Sequence, residues 1–365
     1  MTKQTELYVR HVERDARMVE YAGYWLPVQY PTGPKEEHLR VRQAAGLFDI
    51  DHMGQVRVSG PDALAFLQRI MTADVSRFRV GRANYSPMCY ADGTVVDDTF
   101  IYRLPDSYFV AINASNNAKD TRWMKAHHGG LDVTIENVSE ETYMLALQGP
   151  LSEQILQPIC AADLTAMKYH SAVQTTVADV PTFVGRTGYT GEDGFELYFP
   201  AEEAVKIWDR LFEIGEPQGL IPCGLAARDS LRLEACMPLY GQEISASRTP
   251  LEAGLGWAVA LHKEGFIGRE ALLKAQLEGP DESLVAFVMA DRGVPRHEYA
   301  VVWDGEIIGE VTSGIYAPTL DAFVGMAYVP AEYAEPETEI DILIRDKPRR
   351  AKVVKKPFYV PAYRR

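Results

Sequence analysis

The sequence predicts an α+β protein made of two related α+β domains and a carboxy-terminal β domain, and three observations predict it. At 365 residues the chain is longer than one hydrophobic core usually serves, so two or three packed domains are expected. Two segments repeat one pattern, a strand ending in Gly-Pro followed by an amphipathic helix: Ser59-Gly60-Pro61-Asp62-Ala63-Leu64-Ala65-Phe66-Leu67 and Gln148-Gly149-Pro150-Leu151-Ser152-Glu153-Gln154-Ile155-Leu156. From about Glu282 onward the texture changes to short alternating strands with turn signals between them.

The composition is that of a folded chain, with 47% hydrophobic and 24% charged residues. A net charge of -14 argues against a nucleic-acid partner, which would need clustered cations. The start mixes Arg10, Arg14 and Arg17 with Glu6, Glu13 and Asp15, which fits neither a secretory nor a transit segment. No run approaches the roughly 20 apolar residues of a membrane span. Cys89, Cys160, Cys223 and Cys236 form no CxxC pair and are too sparse for a disulfide scaffold. A cytoplasmic location is expected.

Along the chain, Pro after Gly presets helix entry in both copies of the repeat, and each copy continues through strands to a Trp-bearing helix, at 121–127 and 201–214. Chance recurrence of Gly-Pro is the plainer alternative. A helix is expected at 268–277. Strands are expected at 284–289, 300–303, 307–311, 323–329 and 340–344, with Asp304-Gly305 as a hairpin turn. The basic tail, 347–365, reads as an anion-attracting arm or a solvated edge strand protected by lysines.

Two segments could carry chemistry. In Gly93-Thr94-Val95-Val96-Asp97-Asp98-Thr99-Phe100-Ile101-Tyr102, adjacent acids interrupt a β-branched strand where acids are depleted. Alternation sends Asp97 and Asp98 to opposite faces and groups Asp98 with Phe100 and Tyr102. The competing reading makes them caps of the turn after Gly93. In the loop that begins Gly185-Arg186-Thr187-Gly188-Tyr189-Thr190-Gly191-Glu192-Asp193-Gly194, four glycines point to close backbone approach. The strand that follows places Phe195, Leu197 and Phe199 on one face, Glu196 and Tyr198 on the other. An acid so flanked suits a planar donor edge such as a pterin's; the alternative is a strand with a wet side. His127-His128 lacks ligand spacing, so no metal is expected, and neither the serine-hydrolase elbow nor the phosphate-binding P-loop occurs.

These and further motifs resemble the glycine-cleavage T-protein family over nearly the whole chain. They include Val19-Glu20-Tyr21-Ala22-Gly23-Tyr24, Gly46-Leu47-Phe48-Asp49-Ile50-Asp51-His52-Met53-Gly54, Gly224-Leu225-Ala226-Ala227-Arg228-Asp229, Leu239-Tyr240-Gly241-Gln242, Thr312-Ser313-Gly314, Pro318-Thr319-Leu320 and Lys355-Lys356-Pro357-Phe358. The resemblance implies a three-domain clover around a central folate pocket: 1–48 with 141–265, 49–140, and 280–365. It implies aminomethyltransferase activity, with tetrahydrofolate as acceptor and lipoylated H-protein as partner. Asp98 would sit by folate N10 as the catalytic residue and Glu196 would hold the pterin. Met53, Asn113, Tyr169, Tyr189 and Arg228 would line the pocket, with Tyr363 and Arg365 as weaker candidates from the tail.

Two positions depart from the family pattern. Asp51 stands where Ser is usual, adding a negative charge beside Met53, and Thr94 replaces a glycine. A folate-dependent demethylase of a small methylated donor would keep the pterin residues. A folate-binding accessory protein would need a cysteine directly before its Tyr-x-Gly-Gln-Glu motif. Here Met237-Pro238-Leu239 intervenes, and Cys236 reads as an apolar filler.

Overall fold

The computed structural model describes residues 2–361. Contacts divide the chain into two compact units. One holds the chain up to Leu67 with Ser76–Tyr85 and Thr99–Asp229; the other holds Gln68–Val75, Ser86–Asp98 and the chain from Ser230 on.

The duplication is real. Strand Gly54–Ser59 leads to helix Ala63–Ile70, a 3-10 turn at Val75–Arg77, strands Ala83–Cys89, Val95–Arg103 and Ser107–Ile112, helix Asn117–Ala126 and strand Thr134–Asn137. The same order recurs as Thr142–Gln148, helix Ser152–Leu156, a 3-10 turn at Leu164–Ala166, Ala172–Val177, Val180–Gly185, Gly194–Pro200, helix Ala204–Gly215 and Leu220–Cys223. The second copy's sheet differs by one insertion, strand Ala45–Asp49 between Thr142–Gln148 and Leu220–Cys223. Pro61 and Pro150 lie in the turns just ahead of their helices, not at the first helical position.

In the second copy, alternation along Thr142–Gln148 and Gly194–Pro200 buries Leu145, Leu147, Phe195 and Leu197 against Trp208 and Leu211. Each such buried side chain contributes roughly 1.5–3 kcal/mol, enough to fix the register by which Leu145 pairs with Leu197.

The other unit carries a closed barrel, ordered Glu282–Met289, Ala322–Pro330, Glu306–Ala317, Ala300–Trp303, Glu339–Ile344, Lys347–Val354. Asp304 and Gly305 turn the hairpin with φ of 48° and 87°, which suits Asp-Gly. Helix Arg269–Glu278 matches expectation to within a residue at each end. The basic tail does not: Lys347–Val354 pairs with Glu339–Ile344 on one side and Glu282–Met289 on the other, so it closes the barrel and is no edge. Its alternation puts Ala351 and Val353 into the barrel core and leaves Arg350 and Lys352 exposed. Among the described residues no helix is long and apolar enough to cross a membrane.

Candidate active site

Three hydroxyl groups hold the Glu196 carboxylate. Its Oε2 accepts hydrogen bonds from Thr187 Oγ1 at 2.6 Å, Tyr102 OH at 3.1 Å and Tyr198 OH at 3.3 Å. The three donors come from the glycine-rich loop, from strand Val95–Arg103 and from Glu196's own strand. Burial, and then the charge of Glu196, raise the pKa of both tyrosines well above 10, so both stay protonated and able to donate. Oε1 accepts no hydrogen bond from the described residues. One oxygen is thus locked, and the other is available to a ligand. The face shared by Glu196 and Tyr198 is not a wet side: Tyr102, Phe109 and Phe183 pack on Tyr198 with ring centroids 5.1 to 5.8 Å away.

The glycine-rich loop makes its closest approach to a side chain of the protein itself. A Cβ at Gly188 would lie 1.9 Å from Gln148 Oε1, and one at Gly194 would lie 2.5 Å from Leu147 O. Gln148 is held there by donating to Thr187 O at 3.0 Å and accepting from Thr190 Oγ1 at 2.8 Å. Arg186 donates through Nε to Asp193 Oδ1 at 3.0 Å and so ties the two ends of the loop. Between those ties sits Tyr189, whose ring lies under the Arg228 guanidinium at 4.8 Å.

Met53 and Asn113 meet at one end of their sheet. Gly54, which follows Met53, pairs with Ile112, which precedes Asn113. Gln55 Nε2 donates to Met53 O at 2.9 Å and fixes that turn. Thr99, which Asp98 directly precedes, also pairs with Ile112. Asp97 is fully buried while Asp98 is half-buried, as alternation requires. Asp92 caps the turn at Gly93, accepting from Thr94 N at 3.0 Å and Thr94 Oγ1 at 2.7 Å. The threonine in the usual glycine's place therefore anchors that turn. Tyr169 is half-buried, its ring 4.3 Å from that of His170. Tyr363 and Arg365 lie outside the described residues.

Around Asp49 lies a buried network that sequence reasoning missed. Asp49 Oδ2 accepts from Thr5 Oγ1 at 2.8 Å and Tyr143 OH at 2.9 Å, and pairs with His11 Nε2 at 2.9 Å. Burial alone would raise Asp49; His11 and the backbone N–H of Asp51 outweigh it and the pKa is lowered. Asp51 goes the other way, pushed up to about 8 by burial and then by the charge of Asp49. Burial and the neighbouring charge of Asp49 thus both work against the negative charge that its position in the sequence implies. His52 is also buried; burial and then the charge of Arg228 lower its pKa to about 3. Its Nδ1 has no partner among the described residues, so the neutral ring avoids a buried unsatisfied N–H by carrying its proton on Nε2.

The fold is that of an α+β protein with a carboxy-terminal β-barrel, in whose first unit three hydroxyls hold one oxygen of Glu196. The model of the GCVT N-terminal domain matches residues 7–263, and that of the glycine cleavage T-protein C-terminal barrel domain matches 283–359. The chain is 48% identical to an aminomethyltransferase of Geobacillus sp. (strain WCH70) over 98% of this chain and 99% of that one. It is 48% identical to one of Symbiobacterium thermophilum over 100% and 99%. The crystal structure of the glycine cleavage system aminomethyltransferase T from Bartonella henselae superposes with a TM-score of 0.94 at 32% identity, covering all of both chains. The chain belongs to the glycine-cleavage T-protein family.

Proposed function

We infer that this chain is the aminomethyltransferase of glycine cleavage. It takes the one-carbon unit from the aminomethyl group on the lipoyl arm of H-protein and gives it to tetrahydrofolate. The carbon–sulfur and carbon–nitrogen bonds of the donor break, N5 and N10 of the folate bond the carbon, and methylenetetrahydrofolate, ammonia and dihydrolipoyl H-protein result. The observation that carries the folate half of this reading is Glu196, with Oε2 held by three hydroxyls and Oε1 open, a geometry suited to the N–H and amino donors of a pterin.

N10 is an aniline-like nitrogen, weakly basic and a poor nucleophile. A fixed carboxylate can orient its hydrogen and favour the positive charge that grows as it attacks carbon. We assign that role to Asp98, half-buried beside fully buried Asp97. Arg228, Tyr189, Met53, Asn113 and Tyr169 line the folate pocket, and the reaction is cytoplasmic. The chemistry itself calls for no metal; among the described residues no three His, Cys, Asp or Glu side chains group as a metal site.

The test is methylenetetrahydrofolate formation from aminomethylated H-protein, comparing wild type with Asp98→Asn while tetrahydrofolate binding is measured on both. Turnover by the wild type and a loss of about 10²-fold or more in the variant, with binding retained, support the reading. Folate binding without wild-type turnover would move the donor to a small methylated compound.

A further inference from the structure

The duplication repeats positions as well as elements. The step that carries Gly60 to Gly149 also carries Arg57 to Ala146 and Met53 to Thr142. Arg57 pairs with Phe109 across its sheet as Ala146 pairs with Glu196 across the other, so Phe109 stands in the place of Glu196. Tyr143 pairs with Phe199 as Gly54 pairs with Ile112, which puts Thr142 and Pro200 in the places of Met53 and Asn113. Phe183 pairs with Tyr198 as Phe100 pairs with Ala111, which puts Pro181 in the place of Asp98.

These counterparts meet. Phe109, Thr142, Pro181 and Pro200 line one cleft of about 270 Å³ in the first unit. Phe183 and Tyr198 complete an aromatic wall, with the rings of Phe109 and Phe183 lying 5.1 and 5.8 Å from that of Tyr198. Arg57 and Glu141 line the same cleft; both are exposed, and among the described residues neither forms an ion pair. Glu136 stands opposite Arg57 on the neighbouring strand without reaching it. The cleft is thus the other copy's version of the site around Glu196, with its chemistry exchanged. Both carboxylates are replaced, by Phe109 and Pro181, and a guanidinium stands where the other copy has Ala146. A ring bearing a carboxylate meets aromatic walls and Arg57 there, and Glu141 accepts an ammonium. The volume falls just below the roughly 300–1,000 Å³ of sites for drug-sized ligands, which suits a molecule of amino-acid size.

We propose that this cleft binds an aromatic α-amino acid, with its ring against Phe109, Phe183 and Tyr198, its carboxylate towards Arg57 and its ammonium towards Glu141, and that occupancy tightens tetrahydrofolate binding. Tyr198 couples the two sites. Its ring walls the cleft, while its hydroxyl donates to Glu196 Oε2 at 3.3 Å and meets Tyr102 OH at 3.1 Å. A ligand packed on that ring restricts it and so holds the hydroxyl on Glu196, and by linkage each ligand strengthens the other by the same factor. The coupling rests on the folate reading above; binding in the cleft does not.

The test is calorimetry on the full chain with L-phenylalanine as probe, with and without tetrahydrofolate. Saturable binding is expected at millimolar concentration or below, with each ligand lowering the other's Kd by about 5-fold. 3-Phenylpropionate and 2-phenylethylamine, each lacking one of the two charges, should bind about 1.5- to 5-fold more weakly. The double variant Arg57→Gln/Glu141→Gln should weaken L-phenylalanine by about 2- to 25-fold and leave the affinity for tetrahydrofolate alone unchanged. No binding of L-phenylalanine at millimolar concentration overturns the proposal, as does binding that survives the double variant. Competition with tetrahydrofolate would place the amino acid in the folate pocket and overturn it too, and an unmoved tetrahydrofolate Kd would overturn the coupling. A chain that binds L-phenylalanine through Arg57 and Glu141 but binds no tetrahydrofolate would remove the folate reading and still support the cleft.

Discussion

Thr187 Oγ1 donates to Glu196 Oε2 at 2.6 Å, the shortest of the three hydroxyl contacts that hold this carboxylate. Thr187→Val keeps the shape and removes the donor. Tetrahydrofolate affinity should fall on the order of tenfold, with a smaller change in kcat, because the carboxylate keeps its charge but loses its fixed direction. Binding calorimetry with steady-state kinetics checks this; an unchanged Kd would mean that Glu196 does not need the loop to hold it.

The motifs Tyr240-Gly241-Gln242-Glu243 and Thr312-Ser313-Gly314 meet in a buried ion pair. Arg232 Nη1 donates to Glu243 Oε2 at 2.7 Å, Thr312 Oγ1 donates to Glu243 Oε1 at 2.7 Å, and Arg232 Nη2 donates to Ser313 Oγ at 2.8 Å. Glu243→Gln leaves Arg232 charged and poorly paired in the interior and should cost about 3–5 kcal/mol. Urea unfolding measures it, and a loss under 1 kcal/mol would contradict the burial argument.

His52 makes acid sensitivity predictable. Its pKa of about 3, against 6.5 for the ordinary imidazole, arises first from burial and then from Arg228. Below 6.5 the unfolded chain takes up a proton that the folded one refuses. The contribution to stability is complete above pH 6.5 and is lost as the pH falls towards 3, at up to about 1.4 kcal/mol per pH unit. His52→Gln should show a correspondingly flatter stability profile between pH 4 and 6.5 in parallel urea titrations.

Asp51 has the opposite sign. Burial, then Asp49, raise its pKa from 3.8 to about 8, so the folded state binds a proton that the unfolded state has released. Its favourable contribution is present below pH 3.8 and disappears as the pH rises through 8. Asp51→Ser should therefore gain in stability relative to wild type as the pH is raised from 5 to 8.5. Parallel curves across that range would show that Asp51 ionises normally.

Much of this was legible in the sequence because it is local. Alternation alone separated Asp97 from Asp98, Asp304-Gly305 marked its hairpin, and Gly-Pro marked both copies of the repeat. The clamp on Glu196 was hidden in part because Tyr102 comes from a strand 94 residues away, and no spacing reports a contact that tertiary packing creates. The closing strand of the barrel was hidden by its lysines and arginines, which read as a solvated arm until the partners on both sides are known. The glycine-rich loop was read correctly as a close approach, but its neighbour is the amide of Gln148, a residue whose position follows only from the pairing of Thr142–Gln148 with Gly194–Pro200.

The loops at 79–83 and 168–172 occupy equivalent places in the two copies of the repeat: Gly60 to Gly149 is the same step along the chain as Ala83 to Ala172. The bonds Ala83 N to His170 O and Ala172 N to Gly81 O are therefore one bond made twice, in opposite senses. Two identical protomers meeting across a twofold axis would make such a reciprocal junction. Here the junction is internal to one polypeptide, so the halves no longer have to match. By the same step Arg79 answers Lys168, a cation in both copies, whereas Arg82 answers Ser171 and Val80 answers Tyr169, two differences that an obligatory symmetric dimer could not carry.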